Sequence, residues 1–530
     1  MFAAEHISYR ETNAFSRIVI DYLEDHAALQ PFYSHRPSPE GIRAALEERK
    51  GQYTDRATLV NVLRQQYAGI TSSPAVMENI AALGKENAFT ICTAHQPNLF
   101  SGPLYFIYKI VHAIRLAASL EEQFPQERFI PVYYMGSEDA DFEELNHINV
   151  RGKKYEWQTK QKGAVGRMIA DAALVKLLEE LGQQLGVEPH GNEVCRMLTE
   201  CYSKGKTIQQ ATFELVDRLF GAYGLIVLIP DHADLKRQML PVFEDDVFRQ
   251  QPSAIVEDTS NKLSAQYNVQ AHPRDINLFY LKDDIRERIV RLGEGFCVHH
   301  TDITFTEQEL REELQNHPER FSPNVILRGL FQETILPNIA FIGGGGELAY
   351  WLQLKDLFSH YNTCFPVLVL RNSLVIVEKH QQALASKLNL PLNALFRPEL
   401  QILDELIERE GRKPRLNGEL DGLKQIYDQL KDLATSFDPT LNRHVEALKA
   451  RTVSHLLTLE KKMLRAERKK HEATQRQVAR LRQQLFPNNG LQERVENFSS
   501  YYARWGDRFI EELYFHSLAL EQQFTIITEK

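Results

Sequence analysis

Three short stretches hold more polar chemistry than a bare connection requires. The first is TAHQPNLFSGPLYFIYK, residues 93–109. His95 and Asn98, three apart, both project from one turn, Gly102 permits close backbone approach, and Pro103 suits a first helical position. Gln96 and Ser101 add further polar groups. Such a loop can hold a phosphate or carboxylate, with His95 donating to developing negative charge. The competing reading is a turn whose polar groups only cap the helix that follows. The second stretch, GSEDADFEELNHI (136–148), crowds Glu138, Asp139, Asp141, Glu143, Glu144, Asn146 and His147 into one strand-end loop and helix start. Several carboxylates with an imidazole can bind an ammonium group, hold Mg²⁺ near phosphates, or act as a general base. The four-residue spacing places Glu143 and His147 on one helical face. A solvated acidic helix cap is the alternative.

The third stretch is FIGGGGELAYWLQLK, residues 341–355, which includes Tyr350. Its run through Gly344, Gly345 and Gly346 costs backbone entropy and invites something to approach the main chain. The spacing is neither GxGxxG nor GxxxxGK[ST], and Glu347 would repel a phosphate. A cationic amine or a sugar held by Glu347 fits as well as a phosphate, and a tight strand-to-helix turn is the plain alternative. LRNS (370–373) follows the next apolar run, so Arg371, Asn372 and Ser373 are expected at the same sheet edge. There Arg371 either neutralises an anionic group or forms a surface ion pair. Cys92 lies inside a predicted strand and reads as a small core residue.

The elements that must position these residues follow from hydrophobic periodicity. AFTICTA (88–94) is a short run of strand formers ahead of the first loop. After it, Leu104, Ile107, Tyr108, Val111, Ile114 and Ala118 recur at threes and fours as one apolar helical face, interrupted by Arg115. RFIPVYYMG (128–136) is a second strand, which completes a βαβ unit and forces a parallel pair with a right-handed crossover. YGLIVLIP, NIAFIGGGG and FPVLVLRNSLVIV supply further buried strands. Strands alternating with helices predict an α/β, doubly wound parallel sheet of Rossmann-like form. In that architecture ligands bind beyond the carboxyl ends of the strands, where the three stretches lie.

Around this core the pattern changes. Residues 1–150 read as N-terminal helices and the first half of the core, 151–215 as a helical insertion, and 216–239 as a core strand. A second inserted module spans 240–335, including HPRDINLFYLKDDIRERIVRL, and 336–390 completes the core. Residues 391–490 form a helical coiled-coil region, and 491–530 run back toward the core as helices. From Thr440 to Phe486 there is no Gly or Pro, while Val445, Leu448, Leu456, Leu459, Met463, Ala466, Val478, Leu481 and Leu485 fall at helical spacing. Uninterrupted, this is one helix of roughly 70 Å at about 1.5 Å per residue. Its stripe needs a partner, either a neighbouring helix of this chain or the same helix of a second subunit, and the second is favoured.

Composition bounds the function class. The chain has 530 residues, 43% hydrophobic and 25% charged, with a formal net charge of −9. That balance gives no reason to expect a nucleic acid or an anionic membrane as partner. The basic run KKMLRAERKKHEATQRQVARLR (461–482) lacks interleaved aromatics and reads as the solvated face of a coiled coil. Five scattered cysteines without a CxxC pair fit a reducing cytoplasm, and no zinc ligand set at standard spacing is present, so no metal ligand is assigned. Glu5 and Arg10 interrupt the start where a signal peptide needs an apolar stretch, and no run approaches the ~18 residues of a membrane span. A cytoplasmic, soluble protein is expected.

Taken together, AHQPNLFSGPLYFIYK, GSEDADFEELNHI, PRDINLFYL, FIGGGGELAYWLQLK, VLRNS and LFPNNGLQERV resemble one family, the cysteine-adding enzymes, or cysteine ligases, of bacillithiol biosynthesis. The order of motifs matches over roughly residues 85 to 500. The resemblance implies a Rossmann-type core related to class I aminoacyl-tRNA synthetases and pantothenate synthetase, two inserted connective modules, and a C-terminal coiled coil that dimerises the protein. It also implies an amide bond formed between the carboxyl of cysteine and the amine of glucosaminyl malate. His95 and Asn98 occupy the place of the HIGH signature of such folds. Two departures stand out. Ala94-His95-Gln96 replaces the common Gly-Gln-Gln, and Glu138-Asp139-Ala140-Asp141 replaces Glu-Asp-His-Asp, which excludes a required histidine at position 140.

The reading that results is a ligase in which ATP activates the cysteine carboxylate as an adenylate or an acyl phosphate, with Mg²⁺ possible. His95, His147 and Asp141 are the catalytic candidates, with His147 deprotonating the sugar amine. Gln96, Asn98, Ser101, Gly102, Arg371, Asn372 and Ser373 join His95 in binding the nucleotide. Glu138, Asp139, Asn146, Gly344, Gly345, Gly346, Glu347 and Tyr350 are assigned to the substrates. The alternatives are a nucleotidyltransferase or ligase of the same fold with another substrate, and a noncatalytic coiled-coil dimer that binds a nucleotide or a small thiol.

Overall fold

The computed structural model describes residues 2–409 and 415–530. At its centre five strands pair side by side in the order Val367–Leu370, Asn338–Gly343, Ala88–His95, Arg128–Met135, Ile226–Leu228. Every neighbouring pair is parallel. The chain lays down Ala88–His95 first, adds two strands on one side, then crosses to add the last two on the other. The order therefore reverses between Ala88–His95 and Asn338–Gly343, which makes that junction the topological switch point of a Rossmann-like sheet.

The helix Tyr105–Gln123 follows the first strand and packs on it. Ala113, Leu116, Ala117 and Leu120 fall at helical spacing and meet Phe89, Ile91, Phe129, Ile342 and Val369 of the sheet in one buried cluster. Burying each large side chain of this kind stabilises the fold by about 1.5–3 kcal/mol. Cys92 is fully buried in the first strand, as its place in the apolar run predicts, and burial pushes its thiol well above the usual range. Pro103 is not the first helical residue; the helix begins two residues later, because Pro103 bridges to Asn497 and Leu104 N–H donates to Glu496 O.

The chain forms two compact units. The first comprises residues 14–375 and 490–527 with the N-terminal segment through Arg10. Besides the central sheet it holds the hairpin His147–Val150/Lys153–Glu156 followed by helices Ala172–Leu185, Gly191–Cys201 and Ile208–Phe220. It also holds an antiparallel five-stranded sheet built from Leu278–Lys282, Ile285–Leu292, Gly295–Val298, Thr304–Phe305 and Phe321–Pro323.

The second unit comprises Ile376–Asn489 with Glu11–Asn13 and Thr528–Lys530. The single helix expected over 440–486 is two, Leu441–Lys470 and Glu472–Leu485. No Pro or Gly breaks it. At His471 the backbone N–H bonds to Arg468 O, three residues back, which tightens and ends the turn. The two pieces have different partners. Leu441–Lys470 packs on Asn417–Phe437, while Glu472–Leu485 buries Val478, Leu481 and Leu485 beside Glu399–Arg409. The first pairing is an antiparallel hairpin with Tyr427 Oη–Thr452 Oγ1 at 2.8 Å and Lys431–Glu446 and Lys449–Asp428 ion pairs at 2.5 Å. The long helix thus has a partner within its own chain. Ile426, Leu430, Leu433 and Phe437 on one helix, and Leu448, Leu459 and Met463 on the other, remain exposed. No helix among the described residues is long and apolar enough to cross a membrane.

Candidate active site at the switch-point crevice

The carboxyl ends of Ala88–His95 and Asn338–Gly343 bring together side chains from several segments of the chain. His95 ends the first strand with its ring edge-on to Tyr105, centroids 5.3 Å apart. Its Nε2 is buried and has no hydrogen-bond partner. Burial, with Lys109, Arg328 and Arg371 nearby, holds the imidazole well below the usual histidine range, so it is neutral at neutral pH. A neutral imidazole with a free ring nitrogen can meet a ligand atom as donor or acceptor.

Lys109 lies one helical turn along Tyr105–Gln123. Its ammonium donates to Ala94 O at 2.8 Å and forms an ion pair with Glu347. Burial lowers its pKa, against the pull of Glu347. Glu347 also accepts from Gly344 N–H at 2.8 Å. The amine that Glu347 holds is therefore the protein's own. Gly344 faces the crevice, since a Cβ there would lie 3.6 Å from Arg371 Nε, and around Gly346 the space is open. Gly345 serves packing instead, with Val19 Cγ2 3.0 Å from a Cβ at that position.

Arg371 N–H donates to Gly343 O, and its guanidinium lies 5.1 Å from the centroid of the Tyr105 ring. The group is buried rather than at the surface. It forms an ion pair with Glu493 at 2.7 Å and donates to Ser373 Oγ at 3.0 Å. Asn372 points away from the crevice, whereas Ser373 Oγ stays beside the Arg371 guanidinium. Asn372 Nδ2 donates to Ser517 Oγ and Leu518 O, and Ser373 O accepts from Thr525 N–H, so both anchor the returning C-terminal segment.

On the other side Gln96 Nε2 donates to Asp139 Oδ2 at 3.2 Å, and Gly136 N–H donates to His95 O at 2.8 Å. Burial raises the Asp139 pKa, but Arg286 and Arg328 outweigh it and hold the carboxyl below its usual range. Arg328, on the helix Val325–Ile335, donates to Tyr350 Oη at 3.3 Å. Burial opposes its charge, and Tyr350, Asp139 and Glu347 more than offset that. No carboxylate is salt-bridged to Arg328 among the described residues. Glu138 is buried and paired with Lys236, which also donates to Glu319 O at 2.9 Å, while Arg167 pairs with Asp231 at 2.8 Å. Burial raises the Glu138 pKa, with Lys236 opposing it. The ammonium anticipated for Glu138 is again supplied internally.

Other sequence candidates lie elsewhere. Asn98, Ser101 and Gly102 are buried in the turn itself. At Gly102, φ is +64°, and a Cβ would fall 2.7 Å from Asn98 Cβ, so only glycine closes this turn. Asn497 Nδ2 donates to Phe100 O and Gly102 O, which secures the turn from outside. Asn98 Oδ1 and Ser101 Oγ remain without partners. Glu143 and His147 do not share a helical face. The helix is a single turn, Phe142–Leu145, and His147 starts a strand opposite Glu156. The carbonyl of Asn146 accepts from Trp157 N–H, and this hairpin pairing ends the helix early. His147 Nδ1 lies 3.1 Å from Asn146 Oδ1, and burial, then Lys154, lowers its pKa. Asp141 caps the short helix, accepting from Glu144 N–H.

Sequence reasoning missed Lys109, Arg328 and Glu493. Lys109 and Arg328 each interrupt an apolar helical run, YFIYKIVHAI and VILRGLF, which is the signal that could have marked them as buried charges. Glu493 carries no local signal, because its partner is 122 residues away in the chain.

The family model for bacillithiol biosynthesis BshC, N-terminal Rossmann-like domain, matches residues 2–372, and that for its C-terminal coiled-coil domain matches residues 374–529. A protein of Flavobacterium johnsoniae named "Putative cysteine ligase BshC" is 38% identical over 525 residues, covering 98% of this chain and 99% of its own. A protein of the same name from Christiangramia forsetii is 39% identical over 534 residues, covering 98% of each. A solved structure described as a "putative arginyl t-RNA synthetase" from Campylobacter jejuni covers 84% of this chain and 99% of its own at 8% identity, with a TM-score of 0.24, too low to bear on fold or function.

Proposed function

Because the chain belongs to the bacillithiol biosynthesis BshC family, we propose that it is a ligase that joins the carboxyl of L-cysteine to the amine of glucosaminyl malate, forming bacillithiol with ATP as the activating nucleotide. The observation that carries this reading is the neutral, unpartnered His95 Nε2 at the switch point, with Lys109, Arg328 and Arg371 around it. Preorganised donors and cations at a buried site stabilise charge that develops on phosphate or acyl oxygens.

The residues present fit a nucleotide. A ring nitrogen lacks a partner, the main chain at Gly344 and Gly346 can be approached, and the cationic Arg328 has no salt-bridged carboxylate among the described residues. His95, Gln96, Arg328 and the Gly344–Gly346 backbone would hold it. When bound, ATP supplies the activation that a free carboxylate lacks in water. Asp139, held ionised by Arg286 and Arg328, is the carboxylate suited to the substrate amine or to Mg²⁺. His147, the sequence candidate for deprotonating the attacking amine, is neutral and half-exposed but stands on the hairpin His147–Val150/Lys153–Glu156 rather than among the crevice groups, so the base is not assigned to it.

The active form is proposed to be a homodimer through the helical hairpin. Its exposed row, Ile426, Leu430, Leu433 and Phe437, repeats at fours and threes, the spacing of a coiled-coil seam.

The direct test is mass spectrometry of the purified protein incubated with cysteine, glucosaminyl malate, ATP and Mg²⁺. Bacillithiol with AMP or with ADP supports the ligase and tells which phosphate bond is used. A folded protein that binds all three small molecules and yields no product overturns it.

A further inference from the structure

Away from the crevice residues, the antiparallel sheet of residues 278–323 gathers a second chemical cluster. The strand Gly295–Val298 pairs with Ile285–Leu292, with Val298 opposite Ile289. Continuing that register sets His300 beside Glu287, and His299 N–H donates to Arg288 O at 2.8 Å. The two imidazole rings are 3.8 Å apart, and His300 Nδ1 lies 3.5 Å from Glu287 Oε2. One ligand atom from each of Glu287, His299 and His300 falls within 4.8 Å of the others. His299 Nδ1 is buried and has no hydrogen-bond partner. A buried polar nitrogen ordinarily has a partner, and a bound ion would supply one here.

We infer that Glu287, His299 and His300 bind a divalent transition ion of the Zn²⁺ class. Two imidazoles and a carboxylate form a mixed nitrogen–oxygen donor set. That set suits zinc, nickel or copper, whereas Mg²⁺ and Ca²⁺ prefer oxygen throughout. The ion would tie the turn after Val298 to the strand that carries Arg286. Arg286 acts on Asp139 and Glu138, so the clip would steady a cation of the crevice without touching substrate. The site escapes a search for short metal spacings because strand pairing, not local sequence, brings position 287 to positions 299 and 300.

The test uses the full-length protein stripped with EDTA and titrated with Zn²⁺ by calorimetry and with Co²⁺ by its visible absorption. The comparison is with His299→Ala and His300→Asn. His300 is exposed and has φ +59°, which asparagine tolerates, so the second variant keeps the fold. The expected result is a zinc site in the wild type that weakens roughly tenfold or more in each variant, with zinc raising the Tm of the wild type alone. Equal zinc binding by wild type and both variants, displacement by excess Mg²⁺, or no binding by the wild type overturns the inference.

Discussion

The Glu493 carboxylate lies 2.7 Å from the Arg371 guanidinium and accepts Leu374 N–H through its other oxygen at 3.1 Å. Both side chains are almost wholly removed from solvent, at 0% and 3% exposure. The returning C-terminal segment therefore neutralises an arginine of the switch-point crevice.

Glu493→Ala strands the Arg371 charge in the interior and leaves Leu374 N–H unpaired. Removing one partner of a buried pair costs about 3–5 kcal/mol, so the denaturation midpoint should fall by a corresponding amount. An unchanged midpoint would mean that the pair contributes nothing to the fold.

His95→Ala should lower kcat on the order of a hundredfold or more, the scale for losing one preorganised donor, with far-UV circular dichroism unchanged. Arg328→Gln should act mainly on KM for ATP, since Arg328 is proposed to hold the nucleotide's phosphates. Wild-type turnover in both variants would remove the crevice from the chemistry.

His112 predicts a pH dependence of stability. Its Nε2–H donates to Ala519 O at 2.7 Å, and its Nδ1 accepts Asn372 N–H at 3.0 Å. Protonating Nδ1 would set two donors against each other. Burial, above all, lowers the pKa to about 4. The folded pKa is depressed, so the unfolded chain binds the extra proton. The stabilisation is complete above about pH 6.5 and is lost as pH falls toward 4, about 3 kcal/mol in all. Urea titrations between pH 7 and 4.5 should give a shallower loss in His112→Gln than in the wild type. Parallel curves for the two proteins would contradict a buried neutral His112.

The hairpin row predicts the oligomeric state. Leu433 and Leu459 are exposed at 57% and 47%, and replacing both with Lys should leave a folded monomer where the wild type sediments as a dimer. A monomeric wild type, or a variant that still dimerises, would dismiss the hairpin as the interface.

The sequence alone determined the parts whose causes are local. Strand runs such as AFTICTA, the helical face from Ile107 to Ala118 and the motif order suffice for a parallel Rossmann-like sheet, because burial on both strand faces and 3.6-residue periodicity leave marks within a few residues. They also suffice to bring His95 and the glycine run to one edge. Tertiary structure decided which of the polar groups there are free. Glu138, Glu347 and Arg371 read as ligand-binding charges, yet Lys236, Lys109 and Glu493 already neutralise them. The break at His471 likewise needs two different packing partners to explain it. The Glu287–His299–His300 cluster exists only through strand register. A buried charge has to be compensated by whatever group the fold brings near, and for Lys109 and Glu347 the chain places that group 238 residues away, beyond the reach of any local pattern.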